Sequence, residues 1–151
     1  ETKLPLVTEF AKKTDWVLVG GLLPTCSKFK IQSSKFKNII WGELNKEGLD
    51  IDEKSIKKFK DIIKTAGTIV WNGPMGKFEE KKWEEGTRKV AEAIAQSSAF
   101  KVVGGGDTIA ALNRFNLFSK IDFVSLGGGA MLEYLAKGNL PGIQAIVNSK
   151  L

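Results

Sequence analysis

Apolar residues in this chain gather into short runs that each end on glycine. Four stand out: "WVLVGG" (16–21), "TIVWNGPMG" (68–76), "KVVGGGDT" (101–108) and "FVSLGGGA" (123–130). They are apolar and β-branched throughout rather than alternating, which is the pattern of strands buried on both faces. Around them the period changes to that of a helix. "KSIKKFKDIIK" places Ile56, Phe59 and Ile63 on one face, and "RKVAEAIAQS" does the same with Val90 and Ile94. "AMLEYLAKGN" closes at Gly138, a glycine suited to a helix C-cap, and "LPLVTEFAKKT" reads as a helix ahead of the first run. Residues 22–50 are less regular, with "NIIWGEL" the candidate for one more strand.

Strands alternating with helices predict an α/β fold: a three-layer, Rossmann-like parallel sheet flanked by helices, formed as a single domain over residues 1–151. Crossovers in such sheets are right-handed, so the strand-to-helix loops emerge along one edge. The four glycine-rich ends are therefore expected to share a rim, and the C-terminal edge of the strands is where such sheets bind ligands.

Composition narrows the chemistry. The 151 residues, 42% of them hydrophobic, suffice for one core and not for two large ones. No apolar run is long enough to span a bilayer, and no secretory leader pattern opens the chain. The start "ETKLPL", without a methionine, reads as a fragment or a processed product. One cysteine, Cys26, has no partner within the chain, so a cytoplasmic location is expected. Histidine is absent, which removes Ser-His and Cys-His catalysis and the usual zinc sites. The net charge of +6 sits largely in segments such as "KSIKKFKDIIK" and "EEKKWEEGTRK", at helical spacing or mixed with acids. Solvated faces that attract phosphorylated small molecules fit this better than nucleic-acid binding, and no membrane partner is expected.

The glycines carry the candidate chemistry. In "VVGGGDTIAAL" the strand stops, Gly104, Gly105 and Gly106 turn the chain, and a helix starts near Asp107 and Thr108. Such a turn lets backbone approach a ligand, and the helix N-terminus offers unpaired amides to a phosphate. Asp107 suits either a helix cap or a magnesium ion carried by a nucleotide. A capped helix after a tight turn remains the alternative for one triplet. The second, Gly127, Gly128 and Gly129, begins 23 residues later in an equivalent place, and turn geometry alone explains two such triplets poorly. Neither G-x-x-x-x-G-K-[ST] nor G-x-G-x-x-G occurs. In "WNGPMGKFEE", Gly73 and Gly76 bracket Pro74 in a stiff loop at the same rim, and Glu79 is a candidate acceptor for ribose hydroxyls or else a solvated acid.

Taken together, "TIVWNGPMGKFE", "VVGGGDTIAAL" and "VSLGGGAMLEYLAKGNLPGIQAI" resemble the C-terminal, nucleotide-binding half of phosphoglycerate kinase, in order and at similar spacing over residues 66–146. "ETKLPLVTEFAKKTDWVLVGGL" and "GLDIDEKS" are similar to its lysine-containing loop with the glycine-rich strand end, and to its adenine-pocket segment. The resemblance implies phosphoryl transfer between 1,3-bisphosphoglycerate and Mg-ADP, giving 3-phosphoglycerate and Mg-ATP. By position it puts Gly20 and Gly21 under the adenine, with Gly48 and Leu49 shaping that pocket. Asn72, Gly73 and Pro74 would hold the phosphate end, Glu79 the ribose, Asp107 the magnesium and Thr108 the phosphates. Gly127, Gly128 and Gly129 would point amides at the moving phosphoryl group, and Lys3 would stand near the phosphates.

Several positions depart from that pattern. The family's N-terminal domain, which binds phosphoglycerate, is absent, as is the Gly-Gly-Ala-Lys strand end that opens the C-terminal domain. The chain looks shortened between Pro24 and Trp41. Lys77 stands where the family has a small apolar residue, Asp52-Glu53 where it has Gly-Pro, and Leu22 and Leu126 where it has glycine and threonine. The expectation is a chain that binds Mg-ADP or Mg-ATP and is inactive alone. A non-catalytic interaction module that keeps the scaffold is the alternative.

Overall fold

The computed structural model describes residues 4–21, 23 and 35–149. Within them the elements run α1 (Leu4–Ala11), β1 (Val17–Val19), β2 (Ile39–Trp41), α2 (Glu53–Ile63), β3 (Thr68–Asn72), α3 (Glu85–Gln96), β4 (Phe100–Gly104), α4 (Gly106–Arg114), β5 (Phe123–Ser125), α5 (Gly128–Lys137) and α6 (Pro141–Asn148). All four glycine-terminated runs are strands, and "NIIWGEL" supplies the fifth. The architecture is α/β, with parallel strands flanked by helices.

The strands form two sheets rather than one. β1 pairs with β2 in parallel, and β3, β4 and β5 form a second parallel sheet with β4 in the middle. The expected single sheet is thus divided among the described residues, and the loops join what the strands do not. Gly21 N–H donates to the Met75 carbonyl at 3.0 Å, tying the end of β1 to the turn after β3. Side chains join them too: Leu18, Ile40 and Ile69, drawn from both sheets, pack on one core cluster.

That cluster forms where the helical period predicted it. Ile56, Phe59 and Ile63 of α2 meet Val90, Ala91 and Ile94 of α3 and Leu112 of α4, over Trp71 and Val103, which are paired across β3 and β4. Asp52 caps α2 by accepting the Ser55 amide at 2.8 Å, with Glu53 in the first turn, which accounts for the acidic pair there. A smaller cluster joins Val7 and Ala11 of α1 to Val19 and Ile39.

The opposite face of the larger sheet is only partly clothed. Val70, Val102 and Phe123 are in register across its three strands, and Val70 is 40% and Phe123 56% exposed. α5 covers the C-terminal end of this face, with Met131 against Gly104, and its own end is Gly138 in the left-handed conformation at φ 75°. α6 begins on Pro141 and buries no residue. No helix among the described residues is long and apolar enough to cross a membrane.

Candidate functional site

The turn after β3 is held from three sides. The Trp71 indole donates to the Gly73 carbonyl at 2.8 Å, and Gly73 N–H donates to Thr108 Oγ1 at 2.7 Å. The amides of Met75 and Gly76 donate to Thr87 Oγ1 at 3.0 and 3.3 Å, from a threonine that is fully buried near the start of α3. Gly73 takes φ 94°, a conformation open to glycine. Asn-Gly-Pro-Met-Gly is therefore a fixed platform, with its stiffness set by partners distant in sequence.

The two triplets lie beside this platform. Asn72 Nδ2 donates to the Gly104 carbonyl at 2.6 Å, and a Cβ at Gly128 would fall 2.6 Å from the Gly105 nitrogen. Gly104 is backed by Met131, whose methyl would lie 2.7 Å from a Cβ there. Backbone contact thus requires Gly128 to be small and φ 97° favours glycine at Gly105, whereas at Gly104 the nearest atoms are the flexible end of Met131. Gly106 and Gly129, at the first turns of α4 and α5, are different: a Cβ on either would meet nothing within 4 Å. They line an open cleft of about 300 Å³, together with Asn72, Gly73, Gly105, Asp107, Thr108, Leu126 and Gly128. Two helix N-termini converge on it, which places partial positive charge and unpaired amides along one wall.

Asp107 is exposed in the first turn of α4. It does not cap that helix: Gly105, at φ 97°, holds the N-cap position with no side-chain bond. Its carboxylate is left facing solvent at the cleft. The described residues contain no group of three or more potential metal-binding side chains. A single carboxylate fits a magnesium ion that arrives on phosphates and takes most of its oxygens from them. Thr108, by contrast, is fully buried, and its hydroxyl is engaged by Gly73 and by the Gly104 carbonyl at 3.0 Å.

A second group of predicted residues gathers beyond the turn. Lys77 N–H donates to the Leu49 carbonyl at 2.8 Å, bringing the loop of Gly48 and Leu49 against Gly76 and Lys77, while Gly21 bonds Met75. Gly48 and Gly21 both adopt positive φ, and Gly20 packs directly on the Met75 side chain. Gly20, Gly21, Leu49, Met75 and Lys77 thus border one region beside the cleft, with Pro74 in the connecting turn. The Lys77 side chain turns to an ion pair with Glu80, which raises the lysine pKa and lowers that of the acid. Glu79 is exposed and does not line the cleft; neither do Gly104, Gly127 or Pro74. Lys3 lies outside the described residues.

Sequence reasoning missed Asp50 and Thr87. Asp50 is buried and accepts the amides of Gly86 at 2.7 Å and Ile51 at 2.9 Å, and its Cα would lie 2.7 Å from a Cβ at Gly76. Burial raises its pKa above the ordinary 3.8, against the lowering effect of those two amides. Nothing in "GLDID" marks this aspartate, because apart from the adjacent Ile51 amide its contacts, Gly76 and Gly86, lie 26 and 36 residues away.

Comparisons with known proteins bear on the family and the fold. A family model described as phosphoglycerate kinase matches residues 23–138. The phosphoglycerate kinase of Borrelia duttonii is 51% identical over 148 residues, 95% of this chain and 38% of the relative, and that of Borrelia hermsii is 43% identical over the same shares. Among solved structures, the phosphoglycerate kinase of Coxiella burnetii superimposes with a TM-score of 0.79 at 30% identity, covering 97% of this chain and 49% of that one. The Pyrococcus horikoshii enzyme superimposes with a TM-score of 0.77 at 26% identity, over the same shares. The chain spans less than half the length of these curated relatives.

Proposed function

Since the chain belongs to the phosphoglycerate kinase family, we propose that it is the part which binds Mg-ADP or Mg-ATP for phosphoryl transfer with 1,3-bisphosphoglycerate, a glycolytic step placed in the cytoplasm. In that reaction a β-phosphate oxygen of ADP bonds to the phosphorus of the acyl phosphate. The bond from that phosphorus to the carboxyl oxygen breaks, and 3-phosphoglycerate leaves as the carboxylate. Such chemistry asks the protein for position and charge neutralisation rather than for a nucleophile, which suits a chain without histidine.

The observation that carries the proposal is the pair Gly106 and Gly129. Each lies in the first turn of a helix at the cleft, and neither is kept small by any protein neighbour. Their amides, with that of Gly128, receive the phosphates; Asn72 and Gly73 border that end, and Asp107 would hold the magnesium ion. Gly20, Gly21, Gly48 and Leu49 take the adenine, with Glu79 reaching the ribose and Lys3 the phosphates. Magnesium, when bound, neutralises charge on the phosphate oxygens. The proposal is confined to the nucleotide side of the reaction, because the chain spans 38% of the Borrelia duttonii relative.

Calorimetric titration of Mg-ADP into the chain, beside Asp107→Asn, tests the reading. Saturable binding that weakens in the variant supports it. No binding by a folded chain overturns it, and a non-catalytic interaction module takes its place. The division of the sheet and the charged Lys77 beside the adenine region favour that second reading.

A further inference from the structure

We infer that Thr108 is a positioning residue for the phosphate end of the cleft: its hydroxyl sets the separation between the turn after β3 and the turn after β4, and does not itself bind phosphate. The inference rests on the nucleotide reading and assigns this side chain a different task within it. A threonine hydroxyl has one proton to donate and two lone pairs. The Thr108 proton is directed to the Gly104 carbonyl at 3.0 Å, and one lone pair receives Gly73 N–H at 2.7 Å. What is left is a lone pair, which repels a phosphate oxygen. The side chain is also fully buried.

The Gly104 carbonyl is a hub. It accepts Thr108 Oγ1 and also Asn72 Nδ2, at 2.6 Å, and so uses both of its lone pairs. Met131 of α5 packs against the same glycine. Three elements that border the cleft, the end of β3, the start of α4 and the start of α5, are therefore registered on one peptide group. Removing the Thr108 hydroxyl strips Gly73 N–H of its acceptor and releases the turn that faces the two helix N-termini. Phosphate recognition, which needs several amides aimed at one group, is then weakened, whereas adenine recognition, proposed for Gly20, Gly21, Gly48 and Leu49, is not.

Thr108→Val keeps the shape and loses the hydroxyl; Thr108→Ser keeps the hydroxyl; Thr108→Ala loses it with less crowding. Each is titrated with Mg-ADP and with adenosine. Thr108→Val and Thr108→Ala are expected to bind Mg-ADP about tenfold more weakly, the equivalent of one lost hydrogen bond, with adenosine within about twofold of wild type. Thr108→Ser is expected to match wild type for both. Unchanged Mg-ADP affinity in the hydroxyl-free variants overturns the inference, as does an equal loss for adenosine or a Thr108→Ser variant as weak as Thr108→Val. A wild-type chain that binds neither ligand overturns the nucleotide reading first, and this inference falls with it.

Discussion

Asp50 Oδ2 receives the amide of Gly86 at 2.7 Å, joining the loop before α2 to the first turn of α3. The same loop meets Gly76 and bonds Lys77, so this one carboxylate underlies the region proposed for adenine. Asp50→Ala leaves two buried amides without their acceptor, and about 1–3 kcal/mol of stability is expected to go. Urea denaturation measures it. The pH dependence has a definite sign. Burial raises the folded pKa above 3.8, so the folded state holds the proton more readily than the unfolded one. The contribution of Asp50 is then greatest below the unfolded value and declines as pH rises through the folded one, and Asp50→Asn removes that decline.

Asp122 behaves in the opposite sense. It accepts the Lys101 amide at 2.7 Å and pairs with Lys101 Nζ at 3.2 Å, and that backbone bond is the main cause of a pKa lowered from 3.8. Its contribution is complete above the unfolded value and lost as pH falls through the folded one. Asp122→Asn should flatten the acid limb of a plot of Tm against pH, and a limb unchanged by the substitution would disprove the assignment.

Gly106→Ala and Gly129→Ala should move stability and binding in opposite directions. Both positions lie in the first turns of helices with open space at the missing Cβ, so alanine is expected to stabilise by up to about 1 kcal/mol. The added methyls stand at the cleft wall, and Mg-ADP affinity is expected to drop at least threefold, on the order of 0.7 kcal/mol. Thermal melts and calorimetry on the same samples decide it. Variants that gain stability and keep full affinity would show that the glycines are not there for a ligand.

The unclothed face of the larger sheet predicts dye binding. Phe100 is 55% and Phe123 56% exposed, beside Val70. An apolar surface of this kind on a folded chain should raise the fluorescence of a hydrophobic probe under native conditions. The double variant Phe100→Ser, Phe123→Ser should lose most of that signal and keep its Tm within a few degrees, as expected where little burial is given up.

Much of this was legible in the sequence. Ile56, Phe59 and Ile63 share a face at helical spacing, and they are buried together; Val90 and Ile94 follow them. The apolar runs ending on glycine are strands, and Gly138 terminates α5. What escaped depends on contacts between distant residues. Gly128 is small because the backbone of Gly105 presses on it, and Gly20 and Gly104 meet the side chains of Met75 and Met131; no local pattern announces such neighbours. The direction of the Thr108 hydroxyl follows from the placement of Gly73 across 35 residues of chain. The division of the sheet was equally hidden, because period reveals strands and not which edges pair.

That division has a dynamic consequence. Among the described residues, the unit of α1, β1 and β2 closes around four buried apolar residues, against twelve in the larger cluster. Local opening draws first on the region with least buried contact, so the segment bearing Gly20 and Gly21 should exchange its amide hydrogens sooner than the one bearing the triplets. A nucleotide long enough to touch both would hold together two parts that otherwise loosen at different rates. Its affinity would then include the cost of keeping the weaker part closed, and saturating ligand should slow exchange most at Val17–Val19, remote from every phosphate.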